Sequence, residues 1–587
     1  MNNLFLLFPL LSFLIVAARV LAVPAASDMT MTTAEFGSTD QLLDYTLTPL
    51  YNNQVAKALR VHVKICQPSI EVGATLLATP IEITQVDVGH FEDDAIIAED
   101  SNGPLSLTRK VDKFGPPVVY QNWQVSRQTS GIITATYTAL PRQVNSSTKN
   151  GPSFELRQNF GGLLGSGLGF LTVPPSTGSE KRFYNTTVRW NLSEAPEGTR
   201  AVWTWAEGPD ATTRRIELTE IPASYFMVGK IQSITDGDFG MYWLGDPPFN
   251  TTEIANQLKL SHQWMREFFD DQEQVYRVFI RYNPFRGSRA GTALKRSFMF
   301  SYDDEDRAQP ASLSDYLLFL SHEMVHNWPA LDTGVEENWY TEGLAEYYSL
   351  ILNRRAGLIS DAQLCDEMNS RLTMYYTNSL ASLTNVEVAK LTWTASEAQR
   401  IPYGRGLVFA LKLNALIQKG SQDREQSIDN LVLELLDRSR LEQLGGLLTG
   451  GRAQAQALYD SMASGDLVIP EVDSLGDHGL KLIRQDAPVW ELGFNERDAI
   501  QGKRVVSGLV PGSAAANAGL RNGDRICSRI DLDSTRSDLK AVLKLRIERS
   551  EGEEMTISFV PRSNIIAERW IYINEATNGI EQITNEL

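Results

Sequence analysis

Between about Tyr45 and Tyr225 apolar and polar positions alternate in short runs: Val61-His62-Val63-Lys64-Ile65, Ile81-Glu82-Ile83-Thr84, Gly131-Ile132-Ile133-Thr134-Ala135-Thr136-Tyr137 and Val202-Trp203-Thr204-Trp205. A period of two, enrichment in β-branched and aromatic residues, and Gly, Pro and Asn clusters between runs predict an all-β domain, a sandwich-like sheet with one buried and one wet face. A glycine cluster from Gly161 to Gly169 interrupts it. It has no G-x-S-x-G, G-x-G-x-x-G or Gly-Lys-Ser/Thr spacing, so a flexible turn is expected rather than a nucleophile elbow or phosphate loop.

Near Tyr225 the period lengthens. Thr252-Glu253 opens an amphipathic pattern through Leu258, Trp264 and Phe268, Val275 to Ile280 reads as a strand, and Ala290 to Phe300 as a further, edge strand. From Ala381 to about Ala463 helical spacing dominates, as in Leu407 to Leu413 and Asn430 to Leu436. The chain is therefore expected to be an α+β multidomain protein, with a β domain over 23–225, a mostly helical domain over 226–475 and a last domain over 476–587.

The helical domain contains Ser321-His322-Glu323-Met324-Val325-His326-Asn327-Trp328. Pro310 and Ser312-Leu313-Ser314-Asp315 resemble a helix start, Tyr316, Leu317, Leu320, Met324 and Trp328 recur at helical spacing, and Pro329 stops the pattern. Residues four apart stand on one face, so His322 and His326 can aim both imidazoles at one metal ion. Glu323, about 100° round the helix, is placed to reach a water beside that metal and serve as general base. Zinc on two histidines needs a third protein ligand and an open position. Glu342 fits, with fifteen residues between it and His326, in a Pro-free second helix. Glu346, one turn on, is either the acceptor for a ligand histidine's outer N–H or a solvated helix charge.

His-Glu-x-x-His-x-Trp followed by Trp-x-x-Glu-Gly-x-x-x-Tyr-Tyr resembles the glutamate-ligand zinc peptidases, and within them the glycyl aminopeptidase family. The resemblance implies one zinc per chain, a thermolysin-like catalytic domain and a peptide substrate. It also implies a longer gap than the one here, so the loop from Pro329 to Glu337 is expected to be trimmed. Ile401-Pro402-Tyr403-Gly404-Arg405-Gly406 is similar to the Tyr-x-Lys-Gly element of related aminopeptidases. There the tyrosine donates to the oxyanion, and Arg405 stands in place of lysine; otherwise Tyr403 closes a turn before a helix. The family's amine-binding glutamate lies in a stretch like Gly-Gly-Leu-Glu-His-x-x-Ser. Here Ala290-Gly291-Thr292-Ala293-Leu294-Lys295-Arg296-Ser297 takes its place, with Ala293 at the glutamate's position. Lys295 and Arg296 would repel an ammonium if they faced the pocket, and Glu336 or Glu337 is a candidate replacement carboxylate.

Trp490-Glu491-Leu492-Gly493-Phe494, with Val505 to Ala515 and Ala518 to Ile526, closely resembles a PDZ domain, a module the glycyl aminopeptidases also carry at this end. Leu492, Gly493 and Phe494 would then present N–H groups to the carboxylate of a C-terminal peptide ligand.

Composition changes this picture at the edges. The net charge of −18 has no long basic run against it, which excludes nucleic acid and anionic membrane surfaces as expected partners. Leu4 to Ala18 is apolar and ends near small residues, so residues 1–22 are expected to be a secretory signal peptide, too short for a comfortable membrane span. Sequons at Asn145, Asn185, Asn191 and Asn250 agree with glycosylation on a secretory route. Cys66, Cys365 and Cys527 allow at most one disulfide, so packing must stabilise the fold. The sequence thus predicts a secreted zinc peptidase with altered end preference. Two rivals are a non-catalytic peptide-binding protein with structural zinc, and another hydrolase, such as an epoxide hydrolase, on the same scaffold.

Overall fold

A computed structural model describes residues 41–574, apart from 84–85, 90, 92–95, 114–117, 146–147, 149–150, 176–181, 285–289, 305, 307–310, 330–336, 393, 422–425, 438–449, 501–503, 529 and 550–551. The expected signal peptide, Pro310, Glu336 and most of the trimmed loop lie outside these residues. The described chain is a mixed α/β multidomain protein that begins with a β domain.

Strict alternation builds the first sheet. Leu42–Asn52 buries every second side chain and lies between Val55–Cys66, antiparallel, and Phe183–Trp190, parallel, in a seven-stranded sheet. A four-stranded sheet containing Thr75–Ile83 and Val118–Val125 and a five-stranded sheet around Tyr225–Gly229 close over one core with it. The glycine cluster is not a flexible turn. Gly162–Ser166 is a buried strand of that five-stranded sheet, followed by a 3-10 turn at Gly167–Gly169. A Cβ at Gly162 would lie 2.5 Å from the Val228 carbonyl oxygen and one at Gly165 2.5 Å from that of Glu155, so these glycines permit close strand packing.

The next sheet runs Gln232–Asp236, Phe239–Trp243, Tyr276–Tyr282, Ser297–Tyr302, Ala290–Leu294, with the last strand an antiparallel edge. Phe279, Met299 and Leu294 belong to the core shared with the β domain, whereas Val278, Ile280, Phe298, Phe300 and Ala293 pack with the helices. The charges Arg157 and Arg281, both on Glu155, are buried on the β-domain side.

Six helices frame the site: α1 (Thr251–Phe268), α2 (Leu313–Val325), α3 (Asn338–Arg355), α4 (Asp361–Tyr376), α5 (Asn385–Leu391) and α6 (Ser396–Gly420). Asn250 caps α1, accepting from the Glu253 N–H, and Ser312 with Asp315 forms a capping box on α2. Among the described residues no helix is long and apolar enough to cross a membrane.

At the C-terminal end Leu480–Trp490 and Arg562–Asn574 form an antiparallel ribbon, and Arg525–Ile526, Leu543–Glu548 and Glu554–Phe559 a small sheet with its own core. Leu492 and Phe494 are buried in that core, with Gly493 at φ +83° between them. The ribbon, however, shares the helical core through Leu480, Leu482 and Tyr572. Asn369 of α4 pairs with both the N–H and the carbonyl of Tyr572, at 2.7 and 2.8 Å. The boundary expected at residue 476 therefore runs between residues of one core. All three cysteines are free.

Candidate metal centre

Three glycines bring the site together. A Cβ on Gly343 of α3 would collide with the Gly406 backbone of α6, one on Gly406 would strike the Trp339 carbonyl, and one on Gly404 would lie 2.5 Å from Cβ of Tyr375 on α4. Only bare backbone allows so close an approach. It places Tyr403, one turn before Gly406, against Glu342, the neighbour of Gly343. Tyr403 lies within α6 rather than ahead of it, because the helix starts at Ser396 and continues through Pro402.

His322 in the last turn of α2 and His326, the C-cap of that helix, stand one turn apart with their Nε2 atoms separated by 3.2 Å. Glu342 Oε2 is 3.4 Å from the first and 3.5 Å from the second, and all three side chains are buried. Glu342 Oε2 has no hydrogen-bond donor. Two imidazole nitrogens and a carboxylate oxygen converging in a buried place repel unless something positive lies between them. The pKa shifts express the same demand. Burial disfavours a charged His322, but Glu346 and Glu342 outweigh it and lift the imidazole to about 10. Burial and then His322 push His326 well below its ordinary value, so the pair accommodates one positive charge. The donor set is that of a zinc site with three protein ligands, and the residues fit the ion.

Glu323 is buried beside the ligands. The Ala293 N–H of the edge strand donates to its carboxylate, and Gly291 makes room for it, since a Cβ there would lie 2.6 Å from Oε1. Burial is the main reason its pKa rises to about 7; His322 opposes the rise and Glu342 adds to it. The Tyr403 ring stacks on His322 at 5.6 Å and its hydroxyl donates to Glu342. Burial, then Glu342 and Glu323, hold that phenol far above 10, hence protonated.

Glu346 lies 3.3 Å from His322 Nδ1, so it is buried beside a ligand rather than solvated. Behind it stands a residue the sequence did not disclose. Arg371 of α4 donates from Nε to Glu346 and from Nη1 to Glu367 at 2.8 Å. Burial would raise Glu346, but Arg371 and then His322 bring it down to about 2.

The remaining candidates lie apart from this centre. Lys295 is paired with Glu220 and Arg296 with Asp271, so neither charge is aimed at the site. Glu337 accepts from Trp339 Nε1 and from the Tyr459 hydroxyl, both at 2.6 Å, and is not a spare carboxylate. Asn145, Asn191 and Asn250 are exposed; Asn185 is half-buried in a strand paired on both sides.

Comparison with known proteins reaches the same segment. The M61 glycyl aminopeptidase family matches residues 332–401, which contain Glu342, Glu346 and Arg371, and the resemblance read from the sequence is borne out there. In class the chain is a peptidase-type hydrolase. No curated protein sequence matches it. Among solved structures, an aminopeptidase N family protein from Idiomarina loihiensis superposes with a TM-score of 0.61 at 14% identity, over 91% of this chain and 98% of that one, a likeness of fold. An M1 zinc metallopeptidase from Deinococcus radiodurans (TM-score 0.43, 16% identity, 74% and 96% covered) and leukotriene A4 hydrolase from Saccharomyces cerevisiae (0.43, 12%, 75% and 70%) are more distant.

Proposed function

We propose that this chain is a secreted zinc metallopeptidase whose preference for a free amino terminus is relaxed. The observation that carries the reading is the convergence of His322, His326 and Glu342, with Glu323 on one side and Tyr403 on the other. These three residues would hold one zinc, which when bound supplies a Lewis acid that polarises the scissile carbonyl and acidifies water. Glu323, steadied by the Ala293 N–H, takes the proton from the attacking water and returns it to the leaving amine. Tyr403 stays protonated and donates to the developing oxyanion. Glu346 and Arg371 fix the tautomer and tilt of His322.

Relaxed end preference rests on Ala293. Its side chain is buried at the site, where an alanine cannot pair with an ammonium. Losing such a pair typically costs about 2–5 kcal/mol, enough to remove the advantage of a free amine. Residues 226–475 are read as a thermolysin-like catalytic domain and 476–587 as a PDZ module that receives a C-terminal peptide at Leu492, Gly493 and Phe494. Residues 1–22 are read as the signal peptide.

Metal analysis should find about one zinc per chain, and Glu323→Gln should keep it while losing about 10²–10⁴-fold in turnover. One peptide offered with a free and with an acetylated amino terminus should be cut in both forms. Cleavage confined to the first bond of the free form would return the chain to a conventional aminopeptidase.

A further inference from the structure

Tyr403 follows a weak point in its own helix. Pro402 has no N–H to offer the Ala398 carbonyl, so the hydrogen-bond ladder of α6 misses a rung just before the tyrosine. The stretch ahead of that rung, Ser396 to Ile401, starts from Ala395, which has no side chain able to cap it. After Tyr403 the close contacts of Gly404 and Gly406 fix the backbone. Before it, Ala398 and Ile401 are buried and Asn378 donates to the Glu397 carbonyl at 2.9 Å, which holds one face of the turn. The other face is held by the C-terminal module. Ser396 donates to Glu496, Glu397 accepts from Arg536 at 2.8 Å, and Arg400 donates to Asp533 at 2.7 Å. These three partners are tied to one another, because Arg536 also donates to Glu496 and Asp533. They are seated on α4 as well, through Arg562, which donates to the Thr377 hydroxyl at 3.0 Å and to the Thr535 carbonyl at 2.6 Å. A small gap separates the Tyr403 ring from Met374, Tyr375 and Arg371, so the ring goes where its backbone carries it.

We propose that the C-terminal module completes the catalytic centre by clamping the turn of α6 ahead of Pro402, with Asp533, Glu496 and Arg536 as positioning residues for the Tyr403 hydroxyl. This rests on the peptidase reading above, in which that hydroxyl donates to the oxyanion. None of the three touches substrate or a metal ligand. A hydrogen bond weakens steeply once its donor is misaligned, so a loosened turn costs turnover rather than substrate binding. The clamp makes turnover depend on the module whatever the length of the peptide, which a module that only docks peptide would not do.

The test uses the full chain loaded with zinc and compares Asp533→Asn and Glu397→Gln, each alone and combined with Tyr403→Phe, on one short peptide. Both substitutions conserve shape and leave Arg536 in place. Each alone should lower kcat about tenfold while KM and zinc content hold, and neither should lower it further in the Tyr403→Phe background, where the hydroxyl they position is gone. Amide hydrogen exchange, which needs no turnover, should quicken at residues 396–401 and keep its wild-type rate over 404–416. Losses of equal size with and without the tyrosine hydroxyl, or single variants at wild-type kcat, would overturn the clamp and leave the peptidase reading standing. A wild type that cuts no peptide, or Tyr403→Phe at wild-type kcat, would overturn the reading of the site and the clamp with it.

Discussion

Two clusters of buried charge, one between α2 and α3 and the other where α6 meets the C-terminal module, differ in one respect. Around His322, His326 and Glu342 lone pairs point at one another, and Glu342 Oε2 has no donor. At Glu397, six residues before Tyr403 along the chain, α6 meets the C-terminal module in a second cluster, where Arg536 donates to Glu397, Glu496 and Asp533 at 2.7 to 3.1 Å and lies 4.0 Å over the Trp490 ring. There every carboxylate has a cation, Asp533 being shared with Arg400. Burial and charge are common to both. What separates a site from a joint is whether the groups satisfy each other or jointly require something they lack.

The joint is the place for the largest effect on stability. Arg536→Met should destabilise the protein by about 3–5 kcal/mol, because three carboxylates would stay largely buried without their cation. Thermal or urea unfolding checks this, with Lys419→Met as control. The Lys419–Glu471 pair is 42% and 31% exposed and should be worth less than about 1 kcal/mol. Comparable losses in the two variants would mean that Arg536 is another surface pair in effect. Zinc content should be unchanged in both, since neither touches the ligands.

Local spacing made the first cluster readable and left the second unreadable. His322, Glu323 and His326 announce themselves because one helical turn fixes their geometry, and Glu342 because its helix carries no breaker. Arg371 reaches Glu346 from a different helix, and Arg536 reaches Glu397 across 139 residues; no periodicity encodes such pairs. The glycine cluster was misread for a physical reason: Gly162 and Gly165 resembled a turn because composition does not distinguish a glycine used for flexibility from one used for close packing. The domain architecture was legible at the level of period, whereas the ribbon's share in the helical core was not, since Leu480 and Tyr572 meet it only in three dimensions.

A third buried histidine sharpens the comparison, because it has burial without convergence. His262 of α1 packs among Phe239, Tyr276 and Trp328, and its Nε2 has no partner. Burial first, then Arg266 and Arg296, lower its pKa to about 4, with Asp271 opposing. The unfolded chain therefore binds this proton between about pH 6.5 and 4 while the folded chain does not. Its contribution is fully present above pH 6.5 and is lost as pH falls toward 4, by about 3 kcal/mol at most. Unfolding free energies of wild type and His262→Phe across that range should diverge by this amount. Parallel curves would show that the folded imidazole takes up its proton as readily as a free one.

The smallest effect should come from the group that joins the site to its surroundings. Arg371 keeps Glu346 ionised, and Glu346 in turn faces His322 Nδ1 at 3.3 Å, orienting the imidazole toward the metal position. With Arg371→Met, Glu346 would be a buried carboxylate relying on His322 alone, more easily protonated and less firmly held. Zinc affinity should fall about 10–100-fold, the usual loss when a partner behind a ligand is removed. Competition against a chelator measures that fall directly, while kcat at saturating zinc should drop far less because Glu323 and Tyr403 are untouched. Arg371→Lys keeps the charge but not the planar fork that serves Glu346 and Glu367 together, so it should land between the two. If Arg371→Met lowered the melting temperature yet left zinc affinity at the wild-type value, Arg371 would be part of the packing and not of the site, and the boundary between the two kinds of cluster would lie between Glu346 and Arg371.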